Sequence, residues 1–363
     1  MNPHAPVALL ECSNYHRESV SQTMYKMLDS LRLGDLSGKR VLIKPNILID
    51  AHPKKAVTTH PSVVYAAASY VRDNGGIPAV GDSPSIQRPG FKPKRCGIQD
   101  VCDELDIPWL DFTDGSVQRG RFPVTRHVEE TDMIFNLAKL KTHRLMYYTG
   151  AVKNIFGLIG SLSKSPYHLR HPDRNGFADM LIDLNEEIKP AVHIIDGIIS
   201  MEGEGPSSGR PVKTGVLIAS TSPYAADLAA LSVIGEDAQK IPTARRAFRR
   251  GVCPSEGEYL FESPEEHHYP GFDLVPKSRA GGFGPFFISQ IKRLLPSKPH
   301  PDPAPLIREN TCIACLACFD ICPADAIIRT ESALRVEVDP SVCIRCYCCH
   351  EVCPVGAITV RKT

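Results

Sequence analysis

Through the first two thirds of the chain, apolar residues come in short blocks that alternate between two periods. Arg40-Val-Leu-Ile-Lys44 is a continuous apolar run closed by charge, the pattern of a strand buried on both faces. From Pro61 to Asn74, the residues Val63, Val64, Ala67, Tyr70 and Val71 recur at helical spacing. Pro61 suits a first helical turn and Gly75-Gly76 a stop. Ile77-Pro-Ala-Val-Gly81 reads as the next strand. Further strands are expected at 109–112, 133–137, 192–195 and 215–219, with helices near 94–104, 176–188 and 222–234. Strand–helix alternation of this kind predicts an α/β domain with a mostly parallel sheet and flanking helices.

In such sheets ligands bind beyond the carboxyl ends of the strands. Polar residues gather there: Lys44 and Asn46 after the first strand, Asp82-Ser83 after the next, then Lys139, Lys141 and His143, then Asp196-Gly197. Lys139-Leu-Lys141-Thr-His143 spaces its charges by two, so an extended stretch turns all three to one face. Each has a plainer reading alone, as a solvated lysine or a capping aspartate. His60 either caps the helix that follows or lines the cleft, and His168 and His171, in a polar stretch, read as ordinary surface residues. No phosphate-binding Gly-x-x-x-x-Gly-Lys-Ser/Thr loop occurs. Glu202-Gly-Glu-Gly-Pro-Ser-Ser-Gly209 reads as a mobile loop without the strand–turn–helix context of a dinucleotide fingerprint. A flavin or other organic cofactor is thus not supported by any motif, though none is excluded.

The chain has 363 residues, 42% of them hydrophobic, and a formal net charge of +1. Length suggests two or three domains, and the charge balance argues for neither nucleic acid nor a membrane surface as partner. Met1-Asn-Pro-His-Ala-Pro6 lacks the basic and apolar regions of an export signal, which points to the cytoplasm. Cys12, Cys96, Cys102 and Cys253 are scattered singly, as reduced buried thiols would be.

Pro296-Ser-Lys-Pro-His-Pro-Asp-Pro-Ala-Pro305 alternates prolines, which favours a semi-rigid polyproline spacer. It divides the chain into a main domain at 1–295, a linker at 296–306 and a small domain at 307–363. Arg245, Arg246, Arg249 and Arg250, with Lys292-Arg293, form either a solvated helix face or a surface on which an anionic small domain docks.

The small domain contains Cys312-x-x-Cys315-x-x-Cys318-x-x-x-Cys322-Pro323, then the same spacing at Cys343, Cys346, Cys349 and Cys353-Pro354. This doubled run resembles the bacterial-type ferredoxins that carry two [4Fe-4S] clusters, an α+β fold. In that pattern the cysteine before proline ligates the other cluster. The resemblance therefore implies Cys312, Cys315, Cys318 and Cys353 for one cluster, and Cys343, Cys346, Cys349 and Cys322 for the second. Zinc favours separated Cys-x-x-Cys pairs instead. Cys348 has no counterpart in the first run, where Ala317 stands, and reads as a thiol packed beside the cluster.

The main domain resembles the domain-of-unknown-function 362 family. The resemblance rests on Val41-Leu-Ile-Lys-Pro-Asn46, Thr58-Thr-His-Pro61, Gly81-Asp-Ser83, Asn136-Leu-Ala-Lys-Leu-Lys-Thr-His143, Gly150-Ala-Val-Lys-Asn-Ile-Phe-Gly157 and Asp196-Gly197 through Glu202-Gly-Glu-Gly-Pro206. Fusion to a ferredoxin module is common in that family. The resemblance implies a shared site, in which Lys44, Lys139, Lys141 and Lys153 with Asn46 and Asn154 suit an anionic or carboxylate-bearing ligand. His60, Asp82 and Glu202 complete the expected binding set.

The reading that joins both parts is a ferredoxin-coupled reductase. An external low-potential donor supplies electrons, and a small anionic or carbonyl-bearing substrate in the cleft undergoes C=C or C=O reduction. Lys141, His143 or Asp196 would supply protons. The alternatives are a non-catalytic electron-transfer module that docks to a partner enzyme, and a metal- or cofactor-handling protein using His60 and His143. Oligomeric state is not legible.

Overall fold

The structure, a computed structural model, describes residues 4–254, 256–274, 302–329 and 336–360. Nine strands of the main domain form one mixed sheet: β1 (His4–Glu11), β2 (Arg40–Lys44), β3 (Ile77–Asp82), β4 (Trp109–Asp111), β5 (Met133–His143), β6 (Tyr147–Thr149), β7 (Val192–Glu202), β8 (Arg210–Ser220) and β9 (Glu256–Tyr259). The order is β9-β1-β8-β7-β5-β2-β3-β4, with β6 paired to the far end of β5. Pairings from β4 through β7 are parallel, β7–β8 and β8–β1 antiparallel, and β1–β9 parallel again.

Both faces of the parallel part are covered, which is why its strands are apolar throughout. Val41 and Ile43 of β2 pack with α1 (Arg17–Ser30), α2 (Pro61–Asp73) and α3 (Ile98–Leu105), while Leu42 between them joins the opposite core. That core contains α4 (Ala151–Asn154), α5 (Ser161–Arg170) and α6 (Arg174–Ile188). A third core sets α7 (Pro223–Val233) and α8 (Pro242–Arg249) against Leu9, Leu140 and Ile218.

Local chemistry fixes the helix starts. Pro61 and Pro223 begin α2 and α7, capped by His60 and Ser222, and Asp173 caps α6. His60 therefore has the capping role, its Nδ1 accepting from the Ser62 N–H.

Strands expected at 133–137, 192–195 and 215–219 all run longer. Lys139, Lys141 and His143 lie within β5, and Asp196 within β7, rather than beyond the strand ends. The surface reading of His168 is overturned: it is buried, with its ring stacked on Phe177 at 4.4 Å. Among the described residues, Arg245, Arg246 and Arg250 make their contacts within the main domain. Arg246 pairs with Asp179, Arg250 with Asp179 and Asp183, and Arg245 donates to Asn175, all on α6. Lys292-Arg293 and positions 296–301 of the linker lie outside the described residues.

The small domain is a pseudo-repeat, with α9 (Ala317–Asp320) and α10 (Cys348–Val352) each following a cysteine loop. Its short strand pairs are β10 (Leu306–Ile307) with β13 (Ile358–Thr359), and β11 (Ile327–Arg329) with β12 (Val336–Val338). Among the described residues no helix is long and apolar enough to cross a membrane.

Candidate functional site

At the carboxyl ends of β2 and β3 lies a partly open cavity of about 80 Å³. Lys44, Asn46 and Asp82 come from those strand ends, and Lys153, Asn154, Phe156 and Gly157 from α4 and the turn after it. Lys164 and His168 come from α5. Ile47, Leu48 and Ser83 add to the main-domain side, and Ile321, Cys348, Glu351 and Val352 come from the small domain. The cavity is thus shared between the two parts of the chain.

Lys44 and Asp82 meet at 2.8 Å, both buried, from adjacent parallel strands. Burial lowers the Lys44 ammonium below its ordinary range, against the pull of Asp82. The other Asp82 oxygen accepts from the Ile47 N–H at 2.6 Å. Asn46 donates to Asn154 Oδ1 at 2.9 Å, and Asn154 donates to Asn136 Oδ1 at 2.7 Å, so the asparagines form a chain beneath the lysines. Gly157 lies so close that a Cβ there would collide with Asp82 Oδ1 and Lys44 Nζ.

Lys164 donates to the carbonyls of Ser83 and Pro84 in the loop after β3. Burial, with the nearby Lys44 and Lys153 charges, outweighs Asp82 and brings its ammonium down to about 7. Lys153 is likewise lowered by burial, opposed mainly by Glu351. Among the described residues it makes no hydrogen bond or ion pair. Ser83 Oγ, His168 Nδ1 and Asn46 Oδ1 are buried without hydrogen-bond partners. Burial takes His168 down to about 3, so its ring is neutral.

His143 and Glu351 join the two parts of the chain, with Nε2 and Oε1 2.9 Å apart. His143 Nδ1 accepts from the Leu145 and Met146 N–H groups, which leaves the ring proton on Nε2, facing the carboxylate. Burial and the Lys153 charge bring the ring down to about 4. Burial alone would raise the Glu351 carboxyl, but His143, Lys153 and His168 together hold it well below the usual carboxylate range. Nearby, Arg144 donates to the Val360 carbonyl, Arg174 pairs with Asp302 at 2.9 Å, and Tyr347 donates to the Pro303 carbonyl at 3.0 Å.

Of the residues singled out in the sequence, Lys44, Asn46, Asp82, Lys153 and Asn154 line the cavity. Lys139 and Asp196 do not. They form a separate buried pair at 2.8 Å, tied to Tyr15 and to the His60 N–H. His60 stacks on Tyr15 at 3.6 Å. Lys141 donates to the Val57 carbonyl at 2.6 Å, and burial holds it well below an ordinary lysine. Glu202 pairs with Arg210 at 2.6 Å and accepts from the Asp273 N–H. Lys164, His168 and Glu351 went unrecognised. The one trace in the sequence is that Lys164 and His168 stand four apart, one helical turn.

Two further small cavities divide the cysteines. Cys312, Cys315, Cys318 and Cys353 line one, with Ile307, Leu316 and Val336 around them. Cys322, Cys343, Cys346 and Cys349 line the other, which Cys348 also touches. Each is a largely apolar pocket around four thiols, the donor set a cubane requires. No group of three His, Cys, Asp or Glu among the described residues converges as tightly as a single metal ion needs.

The model of the domain-of-unknown-function 362 family matches residues 41–232, more than half of the chain. The chain belongs to that family. A 4Fe-4S dicluster domain matches residues 304–354, so this member carries 4Fe-4S ligation at its C-terminal side. A thylakoid-associated protein of Synechocystis sp. is 33% identical over 264 residues, which cover 70% of this chain and 82% of that protein. Two solved structures align with part of the chain. A Thermotoga maritima protein gives a TM-score of 0.35 at 15% identity over 56% of this chain. The lactate racemase apoprotein of Thermoanaerobacterium thermosaccharolyticum gives 0.42 at 12% identity over 61%. The chain spans 55% of the length of each of these two structures.

Proposed function

We propose that this family member is an iron–sulphur reductase that transfers electrons to a small anionic or carbonyl-bearing molecule in the cavity at the ends of β2 and β3. One observation carries the reading: Cys348 lines both that cavity and the second cysteine cavity. The gap between an electron source and a reacting molecule is therefore one side chain thick.

Two [4Fe-4S] clusters, held by Cys312, Cys315, Cys318 and Cys353 and by Cys343, Cys346, Cys349 and Cys322, would supply single electrons at low potential. The chain's own residues do the rest. Lys153 offers a cation for substrate charge, and Lys164, near neutrality in its ionisation, can give up or take a proton at Nζ. Phe156, Ile321 and Val352 keep water from the remaining wall. Lys141 and His143 stand behind this shell and act on its charge through Lys153, whereas Asp196 belongs to the separate Lys139–Tyr15 network. The buried single thiols Cys12, Cys96 and Cys102 suit a reducing, cytoplasmic setting.

A second reading, a module that only relays electrons to a partner enzyme, draws support from the first cysteine loop. Cys315 is exposed there, and Ile313 beside it is 60% exposed. An external donor would meet the protein at this end.

Anaerobic purification should yield roughly eight irons per chain, and about four would overturn the two-cluster assignment. Dithionite-reduced protein, freed of excess reductant, is then mixed with short enoates and oxo acids while its visible absorption is followed. Reoxidation that Lys153→Gln and Lys164→Gln both abolish supports the reductase. Reoxidation only by added redox proteins, unchanged in both variants, favours the relay.

A further inference from the structure

The cavity is lined by both polar and apolar side chains. Lys44 is committed to Asp82, and Glu351 turns Oε1 to His143. Lys153 has no such partner among the described residues, and Lys164 is held only by backbone carbonyls. Ser83 Oγ and His168 Nδ1 are buried with their hydrogen-bonding capacity unused. An ammonium and buried donors left without partners are costly, and their cost is recovered when an acceptor arrives. Ile47, Leu48, Phe156, Ile321 and Val352 give the rest of the lining apolar surface that fits a hydrocarbon.

We infer that the cavity is a receptor for a short-chain aliphatic monocarboxylate. Its carboxylate lies against Lys153 and Lys164, with hydrogen bonds from Ser83 and His168, and its chain lies on Phe156, Ile321 and Val352. A cavity of about 80 Å³ limits the ligand to a few carbon atoms. The apolar wall separates this from a site for inorganic phosphate, which has polar oxygens on every side. This inference rests on the cavity being the substrate site, and it deepens that reading by naming the ligand class.

The test uses the oxidised, cluster-loaded full chain under anaerobic conditions, so its outcome does not depend on electron transfer. Acetate, propionate and crotonate are titrated calorimetrically, beside propionamide and inorganic phosphate. Propionate is expected to bind, with propionamide weaker by about tenfold or more. Lys153→Gln should lower propionate affinity by a similar factor, while Lys153→Arg, which keeps the charge, retains most of it. Iron content and far-ultraviolet circular dichroism of each variant establish that it folds and loads. Absence of binding by all three carboxylates overturns the inference, and so does propionamide binding equal to propionate. Phosphate binding as tightly as propionate overturns the carboxylate assignment in favour of an inorganic oxyanion site. Reoxidation of reduced protein by an uncharged acceptor would stand in any of these cases, which keeps the electron-transfer reading separately testable.

Discussion

Lys44 Nζ and Asp82 Oδ1 meet at 2.8 Å at the ends of neighbouring parallel strands, with the lysine wholly buried and the aspartate 3% exposed. Neither charge has water to fall back on, so each is tolerated because the other is present. Asp82→Ala should therefore cost about 3–5 kcal/mol of stability by leaving a buried ammonium uncompensated. Replacing both by apolar residues of similar volume should cost less than the single change. Chemical denaturation of the four members of the cycle measures the coupling.

Gly157 makes a sharper demand on the same pair. A methyl group there points into Lys44 Nζ and Asp82 Oδ1, so Gly157→Ala should destabilise by about 1–3 kcal/mol. Gly160→Ala, three residues on, meets nothing nearer than 4.0 Å and serves as the control, with a small effect on the midpoint of unfolding.

Lys164 sets a pH dependence for carboxylate binding. Its ammonium titrates at about 7: burial, Lys44 and Lys153 favour the neutral amine, whereas Asp82 and Glu351 favour the charge. The charged form predominates below that value, so propionate affinity should be highest between pH 5.5 and 6.5, about the range in which the ligand is ionised and the amine protonated. It should fall as pH rises through 7 to a plateau held by Lys153. Lys164→Gln should flatten the profile, and a profile unchanged in that variant would remove Lys164 from the site.

The network around Asp196 behaves differently. Tyr15 donates to Asp196 at 2.8 Å and accepts from Lys139 at 2.8 Å and from the Ile199 N–H at 3.1 Å. Tyr15→Phe removes one hydrogen bond from each of three partners and should cost about 1–3 kcal/mol, with propionate affinity unaltered. Thermal unfolding beside calorimetry separates the two effects.

Cys348 and Cys349 are adjacent in sequence and should part in function. Cys349→Ser should remove about half of the iron, whereas Cys348→Ala should leave the iron content whole, as the spacing of the doubled run requires. Iron analysis and low-temperature electron paramagnetic resonance distinguish them.

Strands and helices with a strong period were legible in the sequence. β2, α2 and β3 lie where Val41–Ile43, the stripe from Val63 to Val71 and Ile77–Gly81 place them. The doubled cysteine run also announced its chemistry, because ligand spacing is a local property of the chain. β1 and α1 were missed. The polar moiety of α1 outweighs Val20, Met24, Met27 and Leu28, and β1 owes its place to pairing with β8, more than two hundred residues away in sequence. The candidate site was half visible. Lys44, Asn46 and Asp82 follow strands and could be expected at the sheet edge. Lys164 and His168 sit on a helix containing Pro166, whose polar composition reads as surface. Their burial comes from Phe177 and the loop at Ser83 and Pro84, and no local pattern encodes it.

The wall supplied by Ile321, Cys348, Glu351 and Val352 means that neither part of the chain holds a whole chamber. Cutting the protein at its proline-rich segment would yield an open basin of lysines on one side and a bare electron carrier on the other. A molecule can be enclosed only while the two are joined. On the proposed reading, an acceptor held there would lie beside the thiols of the second cysteine cavity, so that ligand binding and access to electrons would both depend on how the small domain is seated.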